Sequence, residues 1–255
     1  MKSKNIRKIS PRGLEILKNL KAFTIMPLPE KISDEVYDEV AAVVRSIGGT
    51  WSERHQAFCF NYDPSRKLQE IVNTGVFFLT EESLWREKRQ FYPTPADVVK
   101  SMVMMAEISE EHIVLEPSAG HGAILDLLPN KNNIVAVEID KRNLAELKAK
   151  GYNPIWKDFL KVSGLLVDRV VMNPPFSNFQ DVKHVCHALD MLKVGGILVA
   201  VINENTLYRS EHPDCKPYME RIMAYNPEII TLDEGTFAES DTMIRTAILK
   251  IKKEF

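Results

Sequence analysis

The sequence predicts an α/β fold in which a mostly parallel sheet is covered by helices on both faces, with a small α+β unit ahead of it. Beyond residue 110, short apolar runs such as 167–172 alternate with stretches of helical periodicity such as 180–192. That alternation is typical of parallel sheets that are buried on both sides. Before residue 80, two helical stripes flank two short strand-like runs. With 255 residues, the chain is long enough for both parts and for a full core.

The amino-terminal unit, residues 1–88, is predicted from its periodicity and its glycine stops. The predicted elements are a helix over 34–47, short strands at 51 and 57–60, and a helix over 64–74. Ser33 or Asp34 would cap the first helix, and Gly48 and Gly75 would end the two helices. The pattern therefore predicts a compact α-β-β-α unit.

The first stretch of the chain is strongly basic. Only Glu15 opposes its basic residues, which are Lys2, Lys4, Arg7, Lys8, Arg12, Lys18 and Lys21. Two interpretations stay open: a mobile basic arm that contacts nucleic acid, and a solvated terminus that contacts nothing.

Residues 89–255, which follow a polar run at 81–89, are predicted to form one α/β domain. Predicted strands cover 113–115, 134–137, 167–172, 197–202 and 242–250, and predicted helices cover 97–108, 122–128, 141–150 and 180–192. The alternation of the two sets predicts strands that run mostly in parallel.

Composition and charge are those of an ordinary soluble globular protein. Apolar residues make up 45%, charged residues 27%, and the net charge of −2 gives no global attraction for nucleic acid. No apolar run approaches the roughly 20 residues that cross a bilayer, and the basic start lacks the apolar core of a signal peptide. We therefore expect a cytoplasmic protein without membrane contact. Cys59, Cys186 and Cys215 are widely spaced, which indicates neither a disulfide framework nor a metal site.

The segment Asn173-Pro174-Pro175-Phe176 is the strongest functional signal, because it directly follows the apolar run 167–172. Each proline fixes φ and removes a donor, so the backbone is rigid and non-helical at the carboxyl edge of the sheet. An amide side chain and a backbone carbonyl held side by side can both accept from one planar NH2 group, and an aromatic ring can stack on its plane. The alternative is a proline-stiffened turn with Phe176 in the core.

Three further segments suit a ligand at the same edge. Residues 115–122, with Ser118, Gly120 and Gly122, follow a strand and are predicted to open a helix, where backbone amides favour an anionic or polar ligand. Glu138 ends the next strand, where a carboxylate can accept from both hydroxyls of a ribose. Asp158 and Phe159 offer an acceptor and a ring for an adenine. As alternatives, Glu138 could be a solvated strand end, Asp158 a helix cap and Phe159 a core residue.

In this order and spacing, the segments resemble the class I S-adenosylmethionine-dependent methyltransferases that modify the exocyclic amine of adenine in DNA. Residues 91–95 are similar to the amino-terminal cofactor motif of that family, and 237–251 to its closing hairpin. The resemblance implies a Rossmann-like, seven-stranded, mostly parallel sheet with a closing antiparallel hairpin. The cofactor-binding half comes before the catalytic half in the sequence, and this order is similar to that of the gamma type of the family. The amino-terminal unit loosely resembles modules ahead of the catalytic domain in phage and mobile-element methyltransferases.

The resemblance implies S-adenosylmethionine as the cofactor and no metal. The implied cofactor-binding residues are Pro93, Thr94, Glu116, Ser118, Gly120, Gly122, Glu138, Asp158, Phe159 and Asn173. Glu116 and the backbone of 120–122 would hold the methionine part, and Glu138 would hold the ribose. Asp158 and Phe159 would contact the adenine, with Pro93 and Thr94 closing over that end.

On the target side, the resemblance implies that catalysis depends on residues 173–176. Asn173 and the carbonyl of Pro174 would accept the two hydrogens of the target amine, while Pro175 helps to keep the turn rigid. Phe176 would stack on a base that has left the duplex.

DNA is the expected substrate, and RNA is the first alternative. Methyltransferases that act on the glutamine amide of release factors, or a catalytically silent fold that only binds, are further alternatives. The segment 203–235 is expected to touch nucleic acid through its basic side chains, Arg209, His212, Lys216 and Arg221, with a short or lax sequence preference. The recognised sequence, the oligomeric state and the biological role are left open by these patterns.

Overall fold

The computed structural model describes residues 6–20, 25–28, 33–52, 55–60, 62–78, 93–233, 236 and 245–254. The chain divides into two units: Met1–Lys88 with Gly235–Met243, and Arg89–Glu234 with Ile244–Phe255. The polar run at 81–89 and the first two residues of the motif at 91–95 lie outside the described residues. Within the described ranges, no helix has both the length and the apolar character needed to cross a membrane.

The first unit contains the predicted α-β-β-α order, with further elements before and after it. Its helices are α1 (Pro11–Asn19), α2 (Asp34–Ser46) and α3 (Ser65–Thr74), and its strands are β1 (Ile6–Lys8), β2 (Ile25–Met26), β3 (Thr50–Ser52), β4 (Ala57–Cys59) and β5 (Val76–Phe78). Strands β2 and β3 pair antiparallel with β4, and β1 pairs antiparallel with β5. Gly48 and Gly75 have φ values of 90° and 67°, which only glycine adopts easily, so both helices stop where the sequence predicts.

The basic start of the chain is folded over residues 6–20. The Ser10 hydroxyl caps α1 by accepting from the Gly13 N–H at 3.0 Å, and Ile16 and Leu17 are buried in the core of this unit. Burial of large aliphatic side chains, at about 1.5–3 kcal/mol each, is enough to hold such an amphipathic helix in place. The expectation of a mobile arm is therefore wrong for this range. Lys2, Lys4 and Lys21 lie outside the described residues.

The second unit is built on a seven-stranded sheet. Its strands are β6 (Val114–Glu116), β7 (Ile134–Glu138), β8 (Ile155–Trp156), β9 (Val167–Met172), β10 (Leu192–Asn203), β11 (Glu228–Thr231) and β12 (Thr246–Lys252). Its helices are α4 (Ala96–Met105), α5 (Lys141–Ala149), α6 (Gln180–Met191), α7 (Glu204–Tyr208) and α8 (Lys216–Met223). The strand order across the sheet is β11-β12-β10-β9-β6-β7-β8.

The sheet is mostly parallel, as the alternation of elements predicts. All pairs from β10 to β8 are parallel, and β12 is antiparallel to both of its neighbours. Val170, Val171 and Met172 of β9 are fully buried, because helices cover both faces of a parallel sheet. The predicted Rossmann-like fold with an antiparallel closing strand is confirmed.

The direction in which strands are added reverses between β6 and β9. From β6 the chain adds β7 and β8 on one side, and it then returns to add β9 and β10 on the other. Open parallel sheets bind their ligands at the carboxyl ends of the strands that flank such a point. The topology therefore places a binding crevice at the ends of β6, β7 and β9.

Residues 122–128 do not form the predicted helix. They form turns and a single 3₁₀ turn at Leu125–Leu127. Gly120 and Gly122 have positive φ values of 52° and 86°, and Pro129 follows at once, so too few residues are left for an α-helix. The glycine segment is consequently a loop that is closed by one tight turn, and no helix begins there.

The closing hairpin begins earlier in the chain than predicted. Its first strand is β11, and the described part of the range predicted for the hairpin, 245–251, belongs to the returning strand β12 and the residue before it. Residues 228–231 read Glu-Ile-Ile-Thr and are mostly exposed, so this edge strand lacks the long apolar run by which buried strands are recognised. Residues 237–244 lie outside the described residues.

Candidate active site

The ends of three strands bring together the polar side chains predicted for the site. Glu116 is the last residue of β6, Glu138 is the last residue of β7, and Asn173 directly follows β9. Because β6 pairs in parallel with both β7 and β9, these residues meet at the crevice between them.

Glu138 organises the glycine loop. One carboxylate oxygen accepts from the Gly120 N–H at 2.7 Å, and the other accepts from the Asp140 N–H at 2.6 Å. Burial raises the pKa of the Glu138 carboxyl, although these backbone donors lower it in part. The alternative of a solvated strand end is therefore wrong. The Asn143 side chain and the Ile139 N–H are further donors to this carboxylate.

Glu116 is a buried carboxylate with an unused oxygen. The side chain is 2% exposed, and its Oε2 has no hydrogen-bond partner in the part of the chain that the structure describes. Burial and the nearby charge of Glu138 raise the pKa of Glu116 well above its ordinary value, while the Leu125 N–H opposes that shift. Such an arrangement is costly when empty and favours a ligand that brings positive charge.

The loop between Glu116 and the 3₁₀ turn is held by its surroundings. The Lys150 ammonium donates to the His121 carbonyl at 2.8 Å and to Asp126 at 2.5 Å. A Cβ atom at Gly122 would lie 3.0 Å from Leu147, and φ at Gly122 is positive, so a larger residue would be strained there. Ser118, within the same loop, is half-buried. The backbone of the loop is thus fixed close to Glu116 and Glu138.

Asp158 and Phe159 have the local roles that were the alternatives to ligand binding. Asp158 caps the 3₁₀ turn Phe159–Lys161 by accepting from the Leu160 N–H at 3.1 Å. The Phe159 ring is 3% exposed and lies 4.9 Å from the His187 ring and 5.5 Å from the His184 ring, between centroids. Phe159 is therefore packed in the core, and its expected contact with an adenine face stays a prediction. Asp158 is half-buried, and its second oxygen lies 3.7 Å from the Lys161 ammonium.

Asn173 is linked to the segment that precedes α4. Its amide nitrogen donates to the Thr94 hydroxyl at 3.0 Å across a separation of 79 residues. The amide nitrogen is thereby engaged by Thr94, and the amide oxygen is the acceptor of the group. Pro93 is half-buried beside Thr94 in the sequence. The structure thus joins the predicted cofactor motif at 93–95 to the predicted catalytic segment.

Phe176 is nearly buried, yet it forms part of the wall of a cavity. The ring is 5% exposed, and it lines a cavity of about 580 Å³ together with residues of α6, α7 and the loop after α7. Pro174 is buried and Pro175 is half-buried, as a rigid turn requires. The core alternative for Phe176 and its role beside a ligand are therefore compatible.

A comparison with protein families decides what kind of domain carries this crevice. Residues 120–224 match the model of the methyltransferase small domain. The second unit therefore resembles a methyltransferase domain, and we refer to it by that name. The match begins in the glycine loop of the methyltransferase domain, includes Glu138 and Asn173, and ends one residue after α8. It implies S-adenosylmethionine as the methyl donor.

Relatives of the methyltransferase domain include restriction-modification proteins. The chain is 23% identical over 182 residues to the type II restriction enzyme and methyltransferase RM.BcgI of Heyndrickxia coagulans, and covers 28% of that protein. It matches 45% of a type I restriction-modification methyltransferase subunit from Streptococcus thermophilus, at 18% identity over 64% of this chain and a TM-score of 0.52. A dimethyladenosine transferase from Plasmodium falciparum matches with 17% identity, over 64% of this chain and 63% of the other, and a TM-score of 0.50.

These relatives confirm the fold and the predicted resemblance to S-adenosylmethionine-dependent methyltransferases. The chain spans about a quarter of the length of RM.BcgI and less than half of the Streptococcus subunit. Because the identities are below 25%, the similarity to these solved structures supports only the fold of the methyltransferase domain.

The residues of the methyltransferase domain fit the implied cofactor. S-adenosylmethionine carries a sulfonium, an α-ammonium group and a ribose with two hydroxyls. The unused oxygen of Glu116 suits a cationic group, and Glu138 is an acceptor one strand away. Two buried acids at adjacent strand ends, of which Glu138 raises the pKa of Glu116, match a ligand with positive charge better than a neutral or anionic one.

One residue near this crevice was missed by the sequence analysis. Ile139, directly after Glu138, is 48% exposed, and the indole N–H of Trp156 donates to its carbonyl at 3.1 Å. An apolar side chain that directly follows an acid at a strand end is the signal that could have found it. Ile139 offers the methyltransferase domain an apolar surface that Phe159 does not offer.

Proposed function

We propose that the methyltransferase domain transfers a methyl group from S-adenosylmethionine to the exocyclic amine of adenine in DNA. The bond from the Asn173 amide nitrogen to the Thr94 hydroxyl is the observation that carries this proposal. The bond engages the amide nitrogen, so the amide oxygen and the carbonyl of Pro174 are the two acceptors that would contact a planar NH2 group, and Phe176 lies close to both in the sequence. Two neighbouring acceptors and a ring match an extruded adenine.

In this proposal, the protein catalyses the reaction mainly by positioning the target amine. An adenine amine is a weak nucleophile because its lone pair is delocalised into the ring. Asn173 and the Pro174 carbonyl accept the two hydrogens of the amine. This favours the pyramidal form of the amine and directs its nitrogen lone pair toward the methyl group to be transferred. Bound S-adenosylmethionine supplies an electrophilic methyl group on sulfur. Stacking on Phe176 offsets part of the cost of taking the base out of the duplex.

On the cofactor side, we propose that Glu116 pairs with the cationic methionine part and that Glu138 accepts from the ribose. The backbone of Ser118, Gly120 and Gly122 surrounds the methionine part, and Pro93 with Thr94 closes over it. Asp158 accepts from the adenine amine through the oxygen that does not cap its turn, in place of the contact of that oxygen with Lys161. Ile139 is a second candidate for the apolar contact of the adenine ring beside Phe159, because Ile139 is exposed and Phe159 is buried.

The choice of DNA rests on the relatives. Two of them are named for restriction and modification, which are reactions of DNA. A short or lax sequence preference is part of this proposal, with the basic residues of 203–235 as the expected contacts. Lys216 and Arg221 are already paired with Glu211 and Asp190 at 2.8 and 2.6 Å, so Arg209 and His212 are the stronger candidates.

The test is transfer of labelled methyl from S-adenosylmethionine to unmethylated duplex DNA, single-stranded DNA and total RNA in parallel, followed by nucleoside mass analysis. We expect N6-methyladenine in DNA. Label in RNA alone would move the assignment to RNA, and label in a protein amide would move it to a protein substrate. Cofactor binding without any transfer would indicate a silent fold.

Thr94 is expected to tune the rate through Asn173. The Thr94→Val variant should lower kcat about tenfold, because a lost hydrogen bond to a half-buried amide costs about 1–2 kcal/mol and removes one of the contacts that orient Asn173. Steady-state kinetics and cofactor titration measure the two effects separately. Thr94→Ser, which keeps the hydroxyl, should retain most of the rate. A large rise in the cofactor Kd with an unchanged kcat would show that Thr94 acts on the cofactor alone.

A further inference from the structure

The cavity beside Phe176 has a polar and basic lining that the proposed reaction leaves unused. It lies between the loop that follows β9 and the segment that begins with α7, and its volume is about 580 Å³. Beyond Phe176, its lining includes Phe179, Lys183, Asn205, Arg209 and His212. Asp214 is the acidic residue among the lining residues.

Three of these side chains form a stack. The guanidinium carbon of Arg209 lies 5.1 Å from the centroid of the Phe179 ring, and the His212 ring lies 4.9 Å from it, tilted by 41°. Arg209 is exposed, so the aromatic contact holds the guanidinium in place while its N–H groups still face solvent. The Phe179 ring therefore serves as a support for two basic groups at the cavity.

His212 presents a donor in this stack. Its Nδ1 accepts from the Asp214 N–H at 3.2 Å, so the proton of the neutral ring lies on Nε2. The Asp214 carboxylate lies 4.0 Å from the same Nδ1, and it offsets part of the positive charge of Arg209 and Lys183. The lining as a whole still has more donors and positive charge than negative charge.

The backbone under the stack is strained in a specific way. Asn178 and Phe179 have positive φ values of 55° and 58°, which cost about 1 kcal/mol or more each for residues other than glycine. The Lys183 ammonium donates to the Asn178 carbonyl at 2.9 Å. This conformation turns the chain directly after residues 173–176 and places Phe179 in the cavity wall. Such strain is concentrated at functional sites.

A buried acid of α6 links this helix to the cavity wall that Asn203 and Thr206 form. Asp181 of α6 is fully buried, and its Oδ2 accepts from the Asn203 N–H at 3.1 Å and from the Thr206 hydroxyl at 2.9 Å. Asn203 and Thr206 both line the cavity. The wall that carries Arg209 is thus held at a defined distance from the loop that carries Phe176 and Phe179.

We infer that this cavity binds a phosphodiester group of the strand that carries the target base, through Arg209 with Lys183 and His212. The inference rests on the proposed function, since Phe176 in the same cavity wall is the residue proposed to stack on that base. Guanidinium, ammonium and imidazole N–H donors around one pocket match phosphate oxygens. A phosphate held here would fix the strand next to the extruded nucleotide without reading sequence, in agreement with a lax preference.

The test measures binding to a short oligonucleotide with a single adenine, in the presence of S-adenosylhomocysteine. Each phosphate that flanks the adenine is replaced in turn by an uncharged methylphosphonate. We expect one replacement to weaken binding by the wild-type protein about tenfold, and Arg209→Ala to weaken binding of the unmodified probe by a similar factor. The same replacement should then not weaken binding by Arg209→Ala any further. The contact between the guanidinium and the phosphate charge is already absent in this variant. Lys183→Ala should show a smaller loss of the same kind.

Lys193→Ala is the matched control, because Lys193 is a basic residue of the same domain that is paired with Asp168 near the amino-terminal end of β9, at the opposite edge of the sheet. It should bind both probes like the wild type, and thermal unfolding should show that every variant is folded. Equal binding of all probes by the wild type, or equal sensitivity to methylphosphonate in Arg209→Ala, would overturn the inference. Deoxyribose and ribose versions of the probe distinguish the sources of the phosphate. Since no methyl transfer is measured, failure of the proposed reaction leaves this result interpretable.

Discussion

Asn173→Ala is expected to reduce methyl transfer by about 10²–10³-fold, while the cofactor Kd changes less than about threefold. The variant removes an acceptor that contacts the target amine, and the backbone of the turn is kept by Pro174 and Pro175. Loss of one positioned hydrogen-bonding group in an active site has this magnitude when the group acts mainly in the transition state. Single-turnover kinetics with saturating cofactor, together with cofactor titration, measure both quantities.

Asn173→Asp is the matched control for this prediction. The carboxylate keeps an acceptor oxygen of similar position, and the Thr94 hydroxyl can donate to it instead of accepting, so part of the rate should remain. If Asn173→Ala weakens cofactor binding as strongly as it slows transfer, Asn173 belongs to the cofactor side and the proposed role is wrong. If neither quantity changes, the reacting group lies elsewhere in the crevice.

Glu116→Gln is expected to weaken binding of S-adenosylmethionine about a hundredfold and, without cofactor, to raise the stability of the domain. The lost affinity corresponds to about 2.7 kcal/mol, as expected when one partner of a buried charge pair is removed. The gain in stability arises because the free protein buries a carboxyl with an unused oxygen beside Glu138. Replacing such a group by a neutral one of the same shape removes the cost of its desolvation.

The gain in stability should depend on pH in one direction. The pKa of Glu116 is raised in the folded protein by burial and by Glu138. Its contribution to stability is therefore fully present below the unfolded pKa of about 4.3 and is lost as the pH rises through the higher folded value. Glutamine does not titrate, so the advantage of Glu116→Gln should grow with rising pH. Cofactor affinity of the wild type should rise over the same interval, because the charged carboxylate binds the cation.

Glu138→Gln is the matched control, and its effect on stability should have the opposite sign. Both oxygens of Glu138 accept from backbone N–H groups, so an amide nitrogen at one position would face a donor and cost about 1–3 kcal/mol. Thermal unfolding without cofactor and isothermal titration with S-adenosylhomocysteine measure these changes. A loss of stability in Glu116→Gln would mean that its second oxygen is satisfied in solution, and the assignment to a cationic ligand would fail.

Local pattern was sufficient for most of the fold and for the order of the site. The apolar run of β9 and the residues that follow it were predicted because a buried strand and two prolines leave a strong signal in sequence. The 3₁₀ turn after Gly122 was missed because a glycine loop with a few apolar residues resembles the start of a helix. β11 was missed because an exposed edge strand carries little apolar pattern.

The roles of individual side chains depended on partners that are far away in sequence. Phe159 follows Asp158, and Phe176 follows Pro175. Nothing in these local sequences shows that the Phe159 ring packs against histidines in the core whereas the Phe176 ring lines a cavity. The same is true of Phe179, whose stack with Arg209 and His212 is formed across about 30 residues of chain.

The sequence by itself determined that the second unit is a mostly parallel α/β domain and that Glu116, Glu138 and Asn173 stand at the carboxyl ends of its strands. These properties follow from the periodicity of each segment and from the order of the segments, and both can be seen in the sequence without knowledge of distant contacts. Only the tertiary structure decided that Thr94 orients Asn173, that Glu138 holds Gly120 and that Glu116 keeps an unused oxygen. Hydrogen bonding and desolvation of a buried group depend on which atoms the whole fold brings within about 3 Å.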